Sequence, residues 1–226
     1  MLLLTVDTSG KNGSLGLAHV AEKNPDVTLV ESVPLAGGTF SAQLVPQIAS
    51  LLAKHGYTKF DLDGFAVISG PGSFTGLRVG LAAVKALGEV LQKPIAAVSL
   101  LEAVASSGPR SGRVFAVLDA GRAEVYAGDY EAAEVPIMHS ERLLSREEFV
   151  GEAKGKGSIV ITPDIPLFEI LAAAGVRCEH VAYPGAEVIA RLGWRHIFGG
   201  RAVTPEALEA NYIRRSDAEI FSQPRR

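Results

Sequence analysis

Residues 69–80 read Ser-Gly-Pro-Gly-Ser-Phe-Thr-Gly-Leu-Arg-Val-Gly, a glycine-rich turn that leads into an apolar helix. The preceding residues 64–68 are apolar and partly β-branched, which predicts a buried strand. Residues 74–91 have the composition of a helix, and Pro94 follows them as a stop signal. The stretch therefore predicts a strand, a tight turn and a helix in succession.

The predicted turn has two candidate roles. Gly70, Gly72 and Gly76 allow the chain to reverse tightly, and Ser73 or Thr75 can cap the helix that follows. The same geometry could hold an anion, because unpaired backbone N–H groups and the helix dipole point towards the turn. A Gly-Lys-Ser/Thr ending is absent, so this is not the usual nucleotide-binding loop. Arg78 lies where the helix dipole disfavours a cation, so we expect a carboxylate or a partner molecule to neutralise its charge.

The chain divides into two halves with the same predicted order of elements. Each half begins with three strands and continues with alternating helices and strands, a βββαβαβα-like order. This duplicated order is the plan of the α/β fold shared by actin-like proteins, sugar kinases and Hsp70 ATPases, the ASKHA fold. Residues 106–112 are rich in serine and glycine and predict a linker. We therefore expect an N-terminal lobe of residues 1–108 and a C-terminal lobe of residues 113–226.

The boundaries of the elements follow from apolar periodicity and from stop signals. The predicted strands are 2–7, 13–20, 27–33, 64–69, 95–98, 113–119, 123–130, 134–139, 158–162 and 176–182. The predicted helices are 41–55, 74–91, 99–107, 164–174 and 185–198, with another that starts at residue 145. Capping boxes are predicted at 99–102 and 145–148.

Asp7 and Asp119 each end the first strand of a half and precede a turn. In an actin-like ATPase, two strand-ending acids face each other across a cleft and hold a metal–nucleotide complex. Asp7, Thr8, Ser9 and Asp119 therefore form a candidate vestigial nucleotide site. The alternative is that each aspartate caps its own turn by accepting backbone N–H groups. The first turn lacks the additional glycines that let a backbone close on phosphates, which favours capping.

Composition narrows the class of protein. The single cysteine among 226 residues, Cys178, excludes an internal disulfide and fits a reducing cytoplasm. No segment reaches the roughly 18 apolar residues that a membrane span needs. The net charge of −3 argues against a general attraction to nucleic acid. Residues 191–226 hold seven arginines against four acidic residues, which predicts a solvated or partner-facing basic tail, with tRNA contact as the alternative.

Four segments occur in the order of a known family. They are the stretch 69–80, Thr5–Ser9, Leu118–Tyr126 and Tyr212–Arg214. Together they resemble the TsaB (YeaZ) family of bacterial tRNA threonylcarbamoyladenosine biosynthesis proteins. Gly121 and Ala123 depart from this pattern, because the family has arginine and glycine at their places.

The resemblance implies a non-catalytic activating subunit of the tRNA threonylcarbamoyl-transferase complex. The complex forms N6-threonylcarbamoyladenosine next to the anticodon of ANN-decoding tRNAs, and the catalytic paralogue TsaD holds the metal and transfers the group. The implied partners are TsaD in a heterodimer, the small ATPase TsaE on that heterodimer, and a second copy of the chain in a homodimer. Contact with tRNA is expected to be indirect or weak. The resemblance implies no catalytic residue, no cofactor and no metal in the chain itself, and a cytoplasmic location.

Two helices of the first half, 41–55 and 74–91, have more apolar residues than one buried face requires. Gly76, Gly80 and Ala83 also form a small-residue stripe where another helix could approach. The residues alone are equally compatible with ordinary internal helices, whereas the resemblance favours an interface, because the family pairs through this helix couple. The predicted interface residues are Leu44, Val45, Ile48, Leu52, Gly76, Leu77, Gly80, Leu81, Val84 and Leu87.

The competing interpretation is an enzyme that acts alone, either a small ASKHA-type kinase or ATPase or a glycoprotease-like peptidase. The five histidines are scattered, without an i, i+4 pair or a cysteine partner, which argues against a metal site. A Gly-x-Ser-x-Gly elbow is absent, and neither Ser73 nor Cys178 has a histidine nearby in the sequence. These features argue against a hydrolase.

Overall fold

Helices and strands occupy most of residues 1–21, 26–156 and 158–214, the parts of the chain that a computed structural model describes. The strands are β1 (Leu2–Asp7), β2 (Gly13–Val20), β3 (Val27–Leu35), β4 (Gly64–Gly70), β5 (Ile95–Ser99), β6 (Gly112–Gly121), β7 (Glu124–Ala132), β8 (Ile137–Ser145), β9 (Ile159–Thr162) and β10 (Cys178–His180). The helices are α1 (Phe40–Lys54), α2 (Phe74–Leu91), α3 (Leu100–Ala105), α4 (Arg146–Lys156), α5 (Ile165–Ala173) and α6 (Ala186–Phe198), and a short 3-10 helix spans Lys59–Asp61.

Within these described ranges the strands form two five-stranded sheets of the same topology. The first sheet has the order β3-β2-β1-β4-β5, and the second has the order β8-β7-β6-β9-β10. In each sheet the first three strands pair antiparallel and the last two are added in parallel. The predicted duplicated α/β fold is confirmed.

Helix α6 lies in the second half of the sequence but packs across all five strands of the first sheet. Gly193 permits this approach, because a Cβ atom there would lie 2.3 Å from the Cβ atom of Ala66 on β4. Helices α1 and α2 contact strands of the same sheet, and every residue of β1 and β4 is buried. Such burial is typical of strands covered on both faces. The division into lobes of residues 1–108 and 113–226 stays a prediction.

Strand β6 separates two hydrophobic clusters. Val114, Ala116 and Leu118 face the larger cluster, which also holds residues of the first sheet, whereas Phe115 and Val117 face the smaller cluster. The alternation follows from the two-residue period of a strand. Helix α3 contacts strands of both sheets and lies at their junction. The larger cluster is therefore an apolar core that both halves share.

Two predicted strands differ from the observed ones more than the others do. Strand β8 begins at residue 137 instead of 134 and extends to residue 145. Pro136 explains the later start, because it has no N–H group to donate to a neighbouring strand. Strand β10 covers only residues 178–180 of the predicted 176–182.

One of the two predicted capping boxes is formed. Glu148 donates its N–H to the Ser145 hydroxyl and accepts the N–H of Ser145, as a capping box requires. At the other position Ser99 accepts the N–H of Leu101, but the side chain of Glu102 accepts a hydrogen bond from His196 instead. The tertiary contact therefore replaces the local one.

The segment after α6 runs back along the first sheet. The N–H of Val203 donates to the carbonyl oxygen of Ile95 at 2.8 Å, so the segment extends the sheet beyond β5. Leu208 is 1% exposed and belongs to the larger hydrophobic cluster. The N–H of Asn211 donates to the carbonyl oxygen of Ser69 at 2.7 Å, next to the glycine turn.

The same segment then reaches the second sheet. The side-chain amide of Asn211 donates to Glu141 on β8 at 2.6 Å, and Arg214 forms an ion pair with Glu124 on β7. The C-terminal segment thus connects both sheets. Residues 215–226, which carry three of the seven arginines of the predicted basic tail, lie outside the described residues.

Candidate functional site

The glycine turn packs directly against the turn that follows β1. The N–H of Ser73 donates to the carbonyl oxygen of Ser9 at 2.7 Å, and the Thr8 hydroxyl donates to the carbonyl oxygen of Gly76 at 2.7 Å. A Cβ atom on Gly76 would lie 2.1 Å from the carbonyl oxygen of Thr8, and one on Gly80 would lie 2.3 Å from its Oγ1 atom. At Gly76 and Gly80, Thr8 of the same chain therefore fills the space where another helix could approach.

The other motif residues of the turn have structural roles. Ser73 caps α2, because its hydroxyl oxygen accepts the N–H of Gly76 at 3.3 Å. Gly70 has φ +129°, a value that favours glycine. A Cβ atom on Gly72 would lie 2.4 Å from the carbonyl oxygen of Ser9. Capping and close packing thus account for these positions, as the first of the two candidate roles predicts.

Asp7 is buried at the end of β1, and its carboxylate accepts three hydrogen bonds. The N–H and hydroxyl of Ser9 donate to Oδ1 at 2.9 Å and 2.6 Å, and the Tyr183 hydroxyl donates to Oδ2 at 3.1 Å. Burial raises the pKa of Asp7 above its ordinary value of 3.8, and the hydrogen bonds from Ser9 and Tyr183 partly oppose this. Tyr183 lies beyond β10, so the second half of the chain closes over Asp7. No pattern in the sequence pointed to Tyr183.

Asp119 lies at the matching place of the second sheet in a more open environment, but it does not end its strand, because β6 continues to Gly121. Its side chain is 49% exposed, and its carboxylate lies 3.5 Å from the guanidinium of Arg146. Its N–H donates to the carboxylate of Asp164 at 2.8 Å. The structure thus brings Asp7, Thr8 and Ser9 together in one turn, where Asp7 caps the backbone as the alternative predicted. Nucleotide binding by these residues and Asp119 stays a prediction.

The Asp7→Asn variant tests the electrostatic state of this turn. The folded chain holds the Asp7 proton more tightly than the unfolded chain, so the carboxyl favours folding below pH 3.8, and this contribution is lost as the pH rises through the folded-state pKa. Asparagine does not titrate. The free energy of unfolding of the variant should therefore increase relative to that of the wild type as the pH rises. Urea unfolding from below pH 3.8 to neutrality measures this difference. A difference that is constant with pH would contradict the raised pKa.

A cavity of about 330 Å³ lies beside the glycine turn. Its lining includes Lys11, Ser41, Ser73 and Thr75 and thus combines one amine with three hydroxyl groups. The Ser73 oxygen already accepts the N–H of Gly76, which closes part of the helix N-terminus. Anion binding at this turn stays a hypothesis.

Arg78 makes contacts that the sequence reasoning did not foresee. Its guanidinium lies 3.7 Å from the ring centroid of Phe74, and its Nε atom donates to the Tyr212 hydroxyl at 3.1 Å. The rings of Phe74 and Tyr212 have centroids 4.9 Å apart. Within the described part of the chain, aromatic contacts hold the cation where a carboxylate was one expectation, and neutralisation by a partner stays a prediction. The signal for Tyr212 was its place in the matched segment 212–214.

The predicted interface residues are divided by their exposure. Most are buried within this chain, namely Leu44, Ile48, Leu52, Gly76, Leu77, Gly80, Leu81 and Val84. Val45 is 61% exposed, and Leu87 is half-buried. The buried residues support the surface of the helix pair, and the exposed ones form part of it. Contact with a partner stays a prediction.

The structure also places side chains of the types that bind metals or act as nucleophiles. Across the described ranges, no group of three or more histidine, cysteine, aspartate or glutamate side chains is placed to hold a metal ion. His196 is buried and donates to Glu102 at 2.9 Å, and burial raises the pKa of the Cys178 thiol. Nor does any helix in the described part of the chain combine the length and apolar character needed to cross a membrane.

Comparison with protein families and relatives gives consistent matches. Residues 34–160 match the family described as "TsaD: tRNA N6-adenosine threonylcarbamoyltransferase". The tRNA threonylcarbamoyladenosine biosynthesis protein TsaB of Bacillus subtilis is 36% identical over 132 residues, which span 58% of this chain and 56% of that protein. The protein of the same name from Escherichia coli is 28% identical over 232 residues, which span 96% of both chains.

Solved structures agree with these matches. YeaZ from Pseudomonas aeruginosa has a TM-score of 0.73 at 27% identity and covers 93% of this chain and 100% of its own. The Lmo2764 protein from Listeria monocytogenes has a TM-score of 0.52 at 10% identity and is similar in fold alone.

Proposed function

The chain belongs to the family described as TsaD, tRNA N6-adenosine threonylcarbamoyltransferase, and within it to the TsaB/YeaZ proteins, and from this we propose that it takes part in forming threonylcarbamoyladenosine in tRNA. Its specific role is that of a non-catalytic activating subunit, which binds the catalytic paralogue TsaD and keeps it active. The resemblance of four separate segments to TsaB proteins supports this role.

The turn after β1 supports a non-catalytic role most directly. The oxygen atoms of Asp7 accept hydrogen bonds from Ser9 and Tyr183, and the Thr8 hydroxyl donates to Gly76. These are the side chains at the place where an actin-like ATPase binds its metal–nucleotide complex. In this chain the same side chains form hydrogen bonds that fix the turn and the start of α2. They are therefore suited to supporting the helix pair.

The partner surface we propose is the exposed side of the α1–α2 pair. The two helices contact each other, and Val45 presents an apolar side chain to solvent on α1. Val90 on α2 does the same, with 70% of its side chain exposed. Exposed apolar residues on adjacent helices are suited to helix–helix docking with another protein. TsaD is the proposed occupant, and a second copy of the chain competes for the same surface.

Further features of the complex are proposed from the family resemblance. The small ATPase TsaE joins the heterodimer, tRNA contacts this chain only indirectly or weakly, and the assembly works in the cytoplasm.

Reconstituted modification of tRNA tests this function. Unmodified tRNA is incubated with the cognate TsaD, TsaE and adenylate-forming enzyme, with and without this chain, and threonylcarbamoyladenosine is measured by mass spectrometry. We expect the product only when the chain is present, and an undiminished amount with the Asp7→Asn variant. Equal product without the chain would overturn the proposal. ATP-dependent phosphorylation by the isolated chain, lost in Asp7→Asn, would instead support the stand-alone kinase.

A further inference from the structure

A groove lies between helix α2 and the C-terminal segment. Its volume is about 430 Å³, and Leu81 and Leu208 form its apolar floor. Arg78 and Lys85 line the side formed by α2, and Glu209 and Tyr212 line the side formed by the C-terminal segment. Residues 78, 82 and 85 are spaced for one side of a helix, so the groove runs along α2. Leu81 belongs to the predicted interface and Arg78 to the stretch 69–80, whereas the side formed by the C-terminal segment belongs to neither.

Arg78 is held in a fixed orientation at one end of the groove. The ring of Phe74 packs on its guanidinium at 3.7 Å, and the Tyr212 hydroxyl accepts its Nε–H at 3.1 Å. Phe74 and Tyr212 are each 37% exposed, and Arg78 is also exposed. The contacts of Arg78 within the chain thus order the guanidinium without covering it.

The charge of Arg78 is not neutralised within the described part of the chain, where no carboxylate forms an ion pair with it. It is the fifth residue of α2, near the N-terminal end, where the helix dipole disfavours a cation. A guanidinium has five N–H donors, and only one of them is engaged by Tyr212. The remaining donors suit a carboxylate, which accepts two parallel hydrogen bonds from arginine.

We infer that the partner-binding surface continues from the α1–α2 pair into this groove, and that Arg78 binds a carboxylate of the partner there. The inference rests on the proposed function, because the occupant is an acidic side chain of the catalytic paralogue. The groove suits a partner segment with an acidic residue flanked by apolar ones. The acidic residue would pair with Arg78, and the apolar residues would cover Leu81 and Leu208. Helix α2 contributes to both surfaces, so one partner can cover them together.

Binding of purified TsaD to variants of this chain, measured by titration calorimetry, tests the inference. Arg78→Ala should weaken binding about tenfold and Arg78→Glu about thirtyfold, because a partner carboxylate loses its ion pair and then meets a like charge. Tyr212→Ala should weaken binding about tenfold by releasing Arg78, whereas Tyr212→Phe, which retains the ring, should have an effect of about threefold. The affinity of the wild type should also fall more steeply with salt than that of Arg78→Ala.

Lys59→Glu is the matched control. Lys59 also lies over an exposed aromatic ring, that of Phe60 at 5.2 Å, but on the separate 3-10 helix. It should bind TsaD like the wild type. Circular dichroism of each variant checks that the exposed substitutions leave the fold intact.

The outcomes separate the inference from the proposed function. Failure of the wild type to bind TsaD would overturn both. If the wild type binds, Val45→Glu abolishes binding, and the Arg78 variants bind like the wild type with the same salt dependence, the inference alone is wrong. Self-association lost in Arg78→Glu, with TsaD binding unchanged, would replace TsaD by a second copy of the chain as the occupant and would likewise overturn the inference.

Discussion

Replacing Val45 with glutamate is expected to weaken binding to the catalytic paralogue at least about a hundredfold, because a charge would then be buried in an apolar interface without a partner. Val45 is the one predicted interface residue with a largely exposed side chain, at 61%. The substitution therefore leaves the core of the chain untouched. Production of threonylcarbamoyladenosine should fall with binding, and excess variant should restore part of it.

Val45 is the informative position because its side chain is exposed, whereas its neighbours in the predicted interface are buried. Leu44 is 1% exposed and Val84 is fully buried, so a charge at either residue would destabilise the chain itself. Ile165→Glu is the matched control, since Ile165 is 57% exposed on α5, which packs on the second sheet. Equal loss of binding in Ile165→Glu would show a general effect of added charge. Unchanged binding in Val45→Glu would contradict docking through this side of α1.

Adding one methyl group at Gly76 is expected to lower the free energy of unfolding by about 3 kcal/mol, at the upper end of overpacking effects. The new Cβ atom would lie 2.1 Å from the carbonyl oxygen of Thr8, which is part of the backbone and cannot rotate away. Relief requires α2 to move from β1, which breaks the hydrogen bond from the Thr8 hydroxyl to the Gly76 carbonyl oxygen. Urea unfolding of Gly76→Ala measures the loss.

Gly151→Ala is the control for Gly76→Ala, because it makes the same change inside helix α4. A Cβ atom on Gly151 would meet nothing within 4 Å. Alanine is the better helix former, so this variant should gain roughly 0.5 to 1 kcal/mol. If both variants change stability alike, helix propensity outweighs the contact with Thr8, and the packing role of the glycine motif is refuted.

Much of the fold could be predicted from the sequence because its signals are local. Apolar runs ended by glycine or proline located nearly all strands and helices, and the repeated order predicted the duplicated fold. Tertiary contacts decided the rest. Pro136 delayed the start of β8, and the contact of Glu102 with His196 replaced a capping box.

The site was less predictable because its partners are far apart in the chain. Asp7 was found from its position at a strand end, but Tyr183 contacts it from 176 residues away. Arg78 was recognised as a cation in an unfavourable place, whereas its contact with Tyr212 spans 134 residues. For Gly76 and Gly80, small size indicated close approach, but the spacing did not reveal that Thr8 is the approaching residue.

The position of α6 has a consequence for synthesis on the ribosome. The strands of the first sheet lie within residues 2–99, yet α6, which packs across all five of them, spans residues 186–198. A nascent chain leaves the ribosome from its N-terminus, so the first sheet emerges long before the helix that covers it. During that interval the surface of β4 against which Gly193 later packs is open to water or to chaperones. The first sheet therefore completes its folding only after residues 186–198 have been translated.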